Sequence, residues 1–263
     1  MAITGVNNTA GNTDGTGAPY STASVTPTAN RLYLLSFTVR NTTASIADPS
    51  SVTGMGLTWV QVSRLRYDAA SAFRDAFVYR ALGASPTSGA ISINFASAQT
   101  SCSWSVDEFD SIDTSGTNGS GAIVQTTSST TTVGTGPTTN TTTLAAFSSV
   151  NNATFGAGFI SDTPALYGTA TVASGYTQLG KSEPTTNGNA TLTQWRADNS
   201  TSVGNSTTNN SAERGIIGIE LKMAATISAA LTGTATASIT EADIVAGGKT
   251  IIQTLSGDTW ITS

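Results

Sequence analysis

Apolar and polar residues alternate with a period of two along most of the chain, which is the pattern of half-buried β-strands. The segment 101–109 is typical: Cys102, Trp104 and Val106 lie on one face, and three serines and Asp107 on the other. In an antiparallel sheet such a strand turns one face to the core and the other to water. We therefore expect Asp107 and the serines to be solvated.

Segments of this kind, rich in aromatic and β-branched residues, are separated by Gly-, Asn- and Ser-rich turns. They predict strands at 31–40, 58–66, 73–82, 90–96, 101–109, 122–127, 144–149, 153–160, 176–181, 191–197, 201–208 and 214–222. Helical periodicity is nearly absent, and its best short candidate, 67–73, is interpreted as a hairpin connection. The chain is therefore expected to be all-β.

The predicted strands fall into two groups, 31–109 and 152–222, separated by a Gly/Ser/Thr-rich divider at 110–143. Features recur in the same order in both groups, which suggests an internal repeat. Regular spacing of strands and turns is the alternative explanation. The matched pairs are Leu34–Val39 with Phe155–Ile160, Gly56–Val60 with Gly175–Leu179, Tyr79–Ala81 with Trp195–Ala197, and Val106–Phe109 with Ile217–Leu221.

The favoured architecture is a jelly-roll-like antiparallel β-sandwich over 19–223, preceded by an N-terminal arm at 1–18. Two tandem small sandwiches are the alternative. Either requires apolar residues on the inward positions of the strands. The residues expected in the core are Leu34, Phe37, Val60, Phe77, Trp104, Phe159 and Ile219.

Residues 224–263 form a short C-terminal β segment with strands expected near 227–231, 234–239 and 250–255. A complete immunoglobulin-like sandwich needs about 100 residues and seven strands, so this segment cannot close a core alone. We expect a neighbouring subunit to complete it; the alternatives are the chain's own sandwich or a longer natural domain. The candidate partner-interface residues are Ile227, Leu231, Ile239, Ile244, Ile251, Leu255 and Trp260.

Composition excludes several classes of function. The chain has no histidine, so catalysis by Ser-His-Asp or Cys-His groups is impossible, and one cysteine leaves no zinc site of the usual kinds. The net charge of −5 provides no basic face for nucleic acid. No signal peptide and no apolar run of membrane-spanning length are evident. We expect no cofactor, no metal, no nucleic-acid or membrane partner, and synthesis in the cytoplasm.

Two groups of residues are candidates for a site. The acidic group Asp107, Glu108, Asp110 and Asp113 is compatible with a glycosidase pair or a calcium site, but a solvated strand end explains it more simply. The aromatic residues Trp59, Tyr79, Trp104, Tyr176 and Trp195 are compatible with a sugar-stacking platform, but their strand positions favour core packing. Arg80 and Arg196 are expected to pair with Glu108 and Glu220 as structural bridges.

The segment from Ser51 to Phe95, with Trp104–Gly116 and Arg214–Lys222, resembles a β-sandwich module of tailed-bacteriophage structural proteins and related bacterial surface proteins. Residues 239–260 resemble the first strands of an immunoglobulin-like module on phage fibre and decoration proteins. The resemblance implies a non-enzymatic virion component, located in the virion as a capsid decoration or part of a head or tail fibre. It would contact other virion proteins and copies of itself, and no catalytic residue is implied.

The composition agrees with an assembly protein, since a charge-poor, hydroxyl-rich chain can bury surface against neighbours at low desolvation cost. A carbohydrate-binding adhesin or receptor-binding module that contacts a host-surface glycan is the second hypothesis. It requires several of the aromatic residues to be exposed together. A carboxylate-dependent glycan hydrolase is the third, and requires two carboxylates roughly 5–10 Å apart in a cleft.

Overall fold

The computed structural model describes residues 2–68, 72–131, 139–161, 170–207 and 213–225, together with the backbone of 227–230 and 251–254. Residues 1–223 form one compact unit and residues 224–263 a second. Regular structure in the described residues is β throughout, apart from one 3₁₀ turn at Ser120–Ala122. The expected all-β, jelly-roll-like antiparallel fold class is confirmed.

The first sandwich has two sheets. Its five-stranded sheet, here called inner sheet 1, has the spatial order β1 (Thr4–Thr13), β9 (Ser101–Asp110), β3 (Leu32–Asn41), β7 (Phe73–Ala81) and β6 (Val60–Asp68). Outer sheet 1 has the order β2 (Tyr20–Ser21), β8 (Ile91–Asn94), β4 (Ser51–Gly54) and β5 (Leu57–Thr58). All neighbouring strands are antiparallel.

The second sandwich repeats this plan. Inner sheet 2 has the order β10 (Ile123–Thr131), β17 (Glu213–Leu221), β12 (Ala153–Ser161), β15 (Ala190–Arg196) and β14 (Thr177–Ser182). Outer sheet 2 has the order β11 (Thr139–Thr143), β16 (Ser202–Ser206) and β13 (Thr171–Val172). In the C-terminal unit, residues 224–263, β18 (Ile227–Ala230) pairs in parallel with β19 (Ile251–Thr254).

Strand order identifies each half as a jelly roll. The strands are counted from the start of each half, with β5 and β6 taken together as the fifth strand of the first half. The first, eighth, third and sixth strands are then neighbours in the inner sheet, and the second, seventh and fourth are neighbours in the outer sheet. In the first half the fifth strand changes sheets, since β5 pairs with β4 while β6, which follows directly, pairs with β7. Two Greek keys folded into paired sheets have this connectivity.

The two inner sheets pack against each other, and their interface is here called the joint. β1 and β9 contact β14 across the joint, while the equivalent strands β10 and β17 contact β6. Each sandwich therefore contacts the other with the same set of equivalent strands, as an approximate two-fold axis requires. Residues 1–223 therefore contain four layers and two sandwiches, closer to the alternative of two small sandwiches than to a single one.

Each interior contains its own group of buried residues. Phe37, Phe77 and Trp104 lie between the sheets of the first sandwich. Leu34, Phe109, Phe155, Phe159 and Ile219 lie in the joint. Of the residues expected in the core, six are buried, and Val60 alone is half-buried because it begins β6 at the edge of its sheet.

Several expected boundaries were wrong. Residues 1–18 do not form an arm, because they contain β1, whose backbone pairs with β9 along most of its length. The expected strand at 144–149 is irregular, and the neighbouring strand is instead β11, within the segment interpreted as a divider. β11 reads TNTTT and lacks the large apolar residues on which strand prediction depends.

Candidate functional site

The candidate partner-interface residues lie in the C-terminal unit. Ile227 and Ile251 are opposite each other in the parallel β18–β19 pair. The other five candidates, Leu231, Ile239, Ile244, Leu255 and Trp260, lie outside the described residues. Their assignment to an interface stays a prediction.

The acidic group does not form a common site. Arg31 pairs with Asp110, and Asn8 donates a hydrogen bond to Glu108 at 3.0 Å. Lys222 Nζ lies 2.7 Å from Asp113 Oδ2. Asp107 points to the opposite face of β9 from Glu108 and is fully buried. Each of these carboxylates therefore has a structural partner, and the interpretation of Asp107 as part of a solvated strand end was wrong.

The expected arginine bridges are absent from the described residues. Arg196 Nε lies 2.5 Å from Asp198 Oδ2, and its guanidinium lies 6.0 Å from the Tyr176 ring centroid. Glu220 is buried and accepts hydrogen bonds from Gln125 and Asn152. The match of Arg80 with Arg196 between the two halves was wrong by one residue. Leu34 and Phe155 are matched positions of the two halves, and Arg80 is opposite Leu34 while Trp195 is opposite Phe155. Arg80 is therefore equivalent to Trp195.

The aromatic residues do not form an exposed platform. Trp59, Tyr79, Trp104 and Tyr176 are each buried to more than 90%. Trp195 is partly buried and packs in the joint, 6.2 Å from Phe109 between ring centroids. Core packing is therefore the role of this set, and the adhesin hypothesis loses the residues on which it was based.

The polar faces of β9 and β15 meet across the joint. Here they form a row of three side-chain pairs, which we call the hydroxyl seam. All six residues are fully buried or nearly so. The seam consists of Ser101 with Asn189 at 2.7 Å, Ser103 with Thr191 at 2.8 Å, and Ser105 with Thr193 at 2.9 Å.

Asp107 lies at the end of the seam, two residues beyond Ser105 on the same face of β9. Asn7 Nδ2 donates to Asp107 Oδ1 at 2.8 Å and lies equally close to Ser105 Oγ. Ser105 Oγ donates to the carboxylate at 3.1 Å. Burial raises the pKa of Asp107 to about 7, although hydrogen bonds from Asn7, Thr193 and Ser105 partly offset this effect.

Two β-bulges and one glycine shape this end of the seam. A register shift in β1 between Asn7 and Thr9 leaves Asn8 with no residue opposite it in the backbone ladder, and a second shift interrupts β14 between Gln178 and Lys181. Gly180 lies in the second bulge, and a Cβ atom there would clash with Ser105 Oγ and lie 2.6 Å from Asn7 Nδ2. The two bulges therefore bring backbone from both sandwiches close to Asp107.

Sequence reasoning missed the seam because the alternation in 101–109 shows only that one face is polar. A serine that faces another sheet and a serine that faces water give the same pattern. The signal available in the sequence was a second strand with hydroxyls at every other residue, Thr191 and Thr193. Two such strands, one in each half, are able to satisfy one another without water.

The outer edges of the inner sheets differ in charge. β6 carries Arg64 and Arg66, and the equivalent edge strand β14 carries Lys181. The opposite edges, β1 and β10, contain no charged residue and no proline, and no strand in the described part of the chain pairs with their outer sides. Charges and prolines are the usual protection of an edge strand against pairing with another chain.

Within the described ranges, no group of three or more acidic or cysteine side chains is arranged to hold a metal ion. No helix among the described residues is long and apolar enough to cross a membrane. No family model matches the chain, and no curated protein and no solved structure is significantly similar to it.

Proposed function

We propose that this chain is a non-enzymatic structural protein of a bacteriophage virion, a capsid decoration or a part of a head or tail fibre that functions through protein–protein contacts. The observation that carries the proposal is the pair of uncharged edge strands, β1 and β10. Each is long, nine or ten residues, and each is backbone-paired on one side only in the described structure. A partner strand would satisfy the free N–H and C=O groups.

The exposed side of β10 supports the same proposal. Val124 is 42% exposed, and the exposed residues that alternate along the strand after it are Thr126, Ser128 and Thr130. Short hydroxyl side chains cost little to desolvate, because neighbouring backbone groups can bond to them. The partners are copies of this chain or other virion proteins.

Lysine substitution on the free edge tests the edge as an assembly surface. Thr126→Lys with Ser128→Lys introduces two charges into β10, as natural edge strands do to prevent pairing. We expect the variant to fold with unchanged circular dichroism but to lose self-association in analytical ultracentrifugation. Val150→Lys is the control, since Val150 is 73% exposed and lies in a loop. Unchanged association of the edge variant would contradict the proposal.

Location in a virion requires a separate experiment. Mass spectrometry and cryo-electron microscopy of particles from producing cells should find the chain in the particle, in contacts that bury more than ~1,000 Å².

Deletion of residues 226–263 should leave the first unit folded and abolish incorporation. Incorporation of the truncated chain at normal occupancy would refute the assigned role of the C-terminal unit, and absence of the intact chain from all particles would refute a virion location.

A further inference from the structure

Asp107 is a carboxyl group held between two sandwiches without a cation. It is fully buried, and strands from both halves surround it: β1, β3 and β9 from the first and β14 and β15 from the second. Its hydrogen-bond donors, Asn7, Ser105 and Thr193, are neutral. An ionised carboxylate in such a place is costly, because neutral donors replace only part of its hydration.

The charged and titratable groups on the surrounding strands are engaged elsewhere. β1 has none. Arg196 of β15 pairs with Asp198, and Lys181 of β14 pairs with Glu183. The remaining groups are Tyr33 and Arg40 of β3, which bond to Thr28 and Asn187, and Cys102, Glu108 and Asp110 of β9, of which the last two contact Arg31. The ionised carboxylate of Asp107 therefore has no cation in contact with it.

The approximate two-fold relation of the sandwiches provides a comparison. Asp107 is opposite Leu34 in β3, and Ile219 is opposite Phe155 in the equivalent strand β12, so Ile219 takes the place of Asp107 on the other side of the joint. Ile219 is fully buried among apolar residues. At the equivalent position of the second sandwich, an aliphatic side chain therefore closes the joint without a carboxyl.

We propose that Asp107 is a proton-operated latch in the joint, which holds the two sandwiches together when the carboxyl is neutral and loosens the hydroxyl seam when it ionises. The neutral carboxyl can both accept from Asn7 and donate to a seam hydroxyl. The ionised form only accepts, so Ser105 and Thr193 must both turn their hydrogens towards it. The change lies at the contact between the halves and affects the joint before it affects either sandwich.

The direction of the pH effect follows from the pKa. The pKa of Asp107 is raised from 3.8 to about 7, so between these values the folded protein holds a proton that the unfolded chain has lost. Stability contributed by this proton is complete below pH 3.8 and is lost as the pH rises to about 7. The equilibrium constant for unfolding should increase up to tenfold per pH unit in this window. Above pH 7 this contribution no longer changes.

Titration of the side-chain carboxyl by ¹³C NMR tests the latch in the unmodified protein. We expect Asp107 to titrate near pH 7, and titration below pH 5 would overturn the proposal. Urea unfolding from pH 5 to 8 is the second test. Asp107→Asn should remove most of the pH dependence. Glu213→Gln separates the contribution of Glu213, a second carboxyl whose pKa is raised by burial. A pH dependence unchanged by Asp107→Asn would also overturn it.

Hydrogen exchange distinguishes a loosened joint from general destabilisation. The Gly180 amide donates to Thr193 Oγ1 at 2.9 Å beside Asp107, and the Ile91 amide donates to Thr22 Oγ1 at the same distance in outer sheet 1. After correction for intrinsic rates, Gly180 should lose protection between pH 6 and 8 while Ile91 keeps it. Equal loss at both amides, or none at Gly180, would contradict a latch in the joint.

Discussion

The two sandwiches have the same strand order but different interiors. Between the sheets of the first lie aromatic and large aliphatic residues, among them Phe37, Phe77 and Trp104. Between the sheets of the second, the buried positions include Thr154, Gln194 and Asn205, with only a few apolar residues beside them. The jelly-roll connectivity therefore does not depend on an apolar interior in each half.

Glycines and amides replace apolar volume in the second sandwich. Gly156 and Gly158 of β12 let outer sheet 2 approach closely, since a Cβ atom at either would clash with Val203 or Asn205. Gln194 of inner sheet 2 then bonds to the backbone of outer sheet 2. It accepts from the amide of Ala173, which follows β13, at 2.9 Å and donates to the carbonyl of Gly204 in β16 at 2.5 Å. The interior is held by specific pairs, each of which is costly to break.

The two halves obtain their hydrophobic stabilisation from different places. The first sandwich has an apolar core of its own, while the large apolar residues of inner sheet 2, such as Phe155, Phe159 and Ile219, point into the joint. The second sandwich therefore obtains much of its apolar burial from contact with the first. We expect it to be the more sensitive half to changes in polar groups and the less able to fold alone.

Removal of an aromatic side chain from the first core should give the largest effect. The Phe37 ring stacks on Phe77 at 5.0 Å and on Tyr79 at 5.8 Å between centroids. Phe37→Ala should lower the free energy of unfolding by about 3–5 kcal/mol. Urea denaturation measures the change, and Val6→Ala, at a residue that is 54% exposed, should stay within about 0.5 kcal/mol. A cost below 1 kcal/mol would mean that this core is not what stabilises the first half.

Loss of a side-chain amide from the second interior should cause the next largest decrease in the free energy of unfolding. Gln194→Leu keeps a similar volume but removes the acceptor of the Ala173 N–H and one donor to the Gly204 carbonyl. At about 1–3 kcal/mol for the unpaired N–H and about 1 kcal/mol for the lost bond to the carbonyl, the total is roughly 2–4 kcal/mol. Gln178→Leu is the matched control, because Gln178 is directly opposite on β14 and exposed. Equal effects of the two changes would show that the second interior tolerates apolar replacement.

The sequence predicts the strands that contribute apolar residues to an interior. The expected strands 31–40, 73–82, 101–109, 153–160 and 214–222 match β3, β7, β9, β12 and β17, because their large residues mark the buried face. β1 and β11 were missed because Asn, Gly and Thr dominate them. The joint was missed for a related reason, since alternation shows that a face is polar and does not show what covers it.

A methyl group added inside the second interior should change stability in the opposite direction from one added at an open position. Gly158→Ala places a methyl group against the Asn205 amide, which is itself buried, and overpacking of this kind costs about 1–3 kcal/mol. Gly89→Ala has open space around the new methyl and should leave stability unchanged or raise it by up to about 1 kcal/mol. Thermal denaturation of the two variants gives the comparison. Stabilisation by Gly158→Ala would show that outer sheet 2 moves away freely.

The smallest effect is expected at Asp14, where the first sandwich contacts the loop after β14. The Asp14 carboxylate accepts hydrogen bonds from the amides of Thr185, Thr186 and Asn187 at 2.6, 3.1 and 3.1 Å, and from the Thr185 hydroxyl at 2.7 Å. Burial alone would raise the pKa of Asp14, but these hydrogen bonds outweigh burial and lower the pKa below 3.8.

A lowered pKa contributes stability that is present above pH 3.8 and is lost as the pH falls through the folded value, opposite in sign to the contribution of Asp107. Asp14→Asn should cost about 1 kcal/mol at pH 7, because the loop is partly exposed and solvent can replace some of the bonds. Urea unfolding should show this difference from the unmodified protein narrowing below pH 3.8, whereas the difference caused by Asp107→Asn should change between pH 5 and 7. If the Asp14→Asn difference were constant down to pH 2, the carboxylate charge would not be what holds the loop.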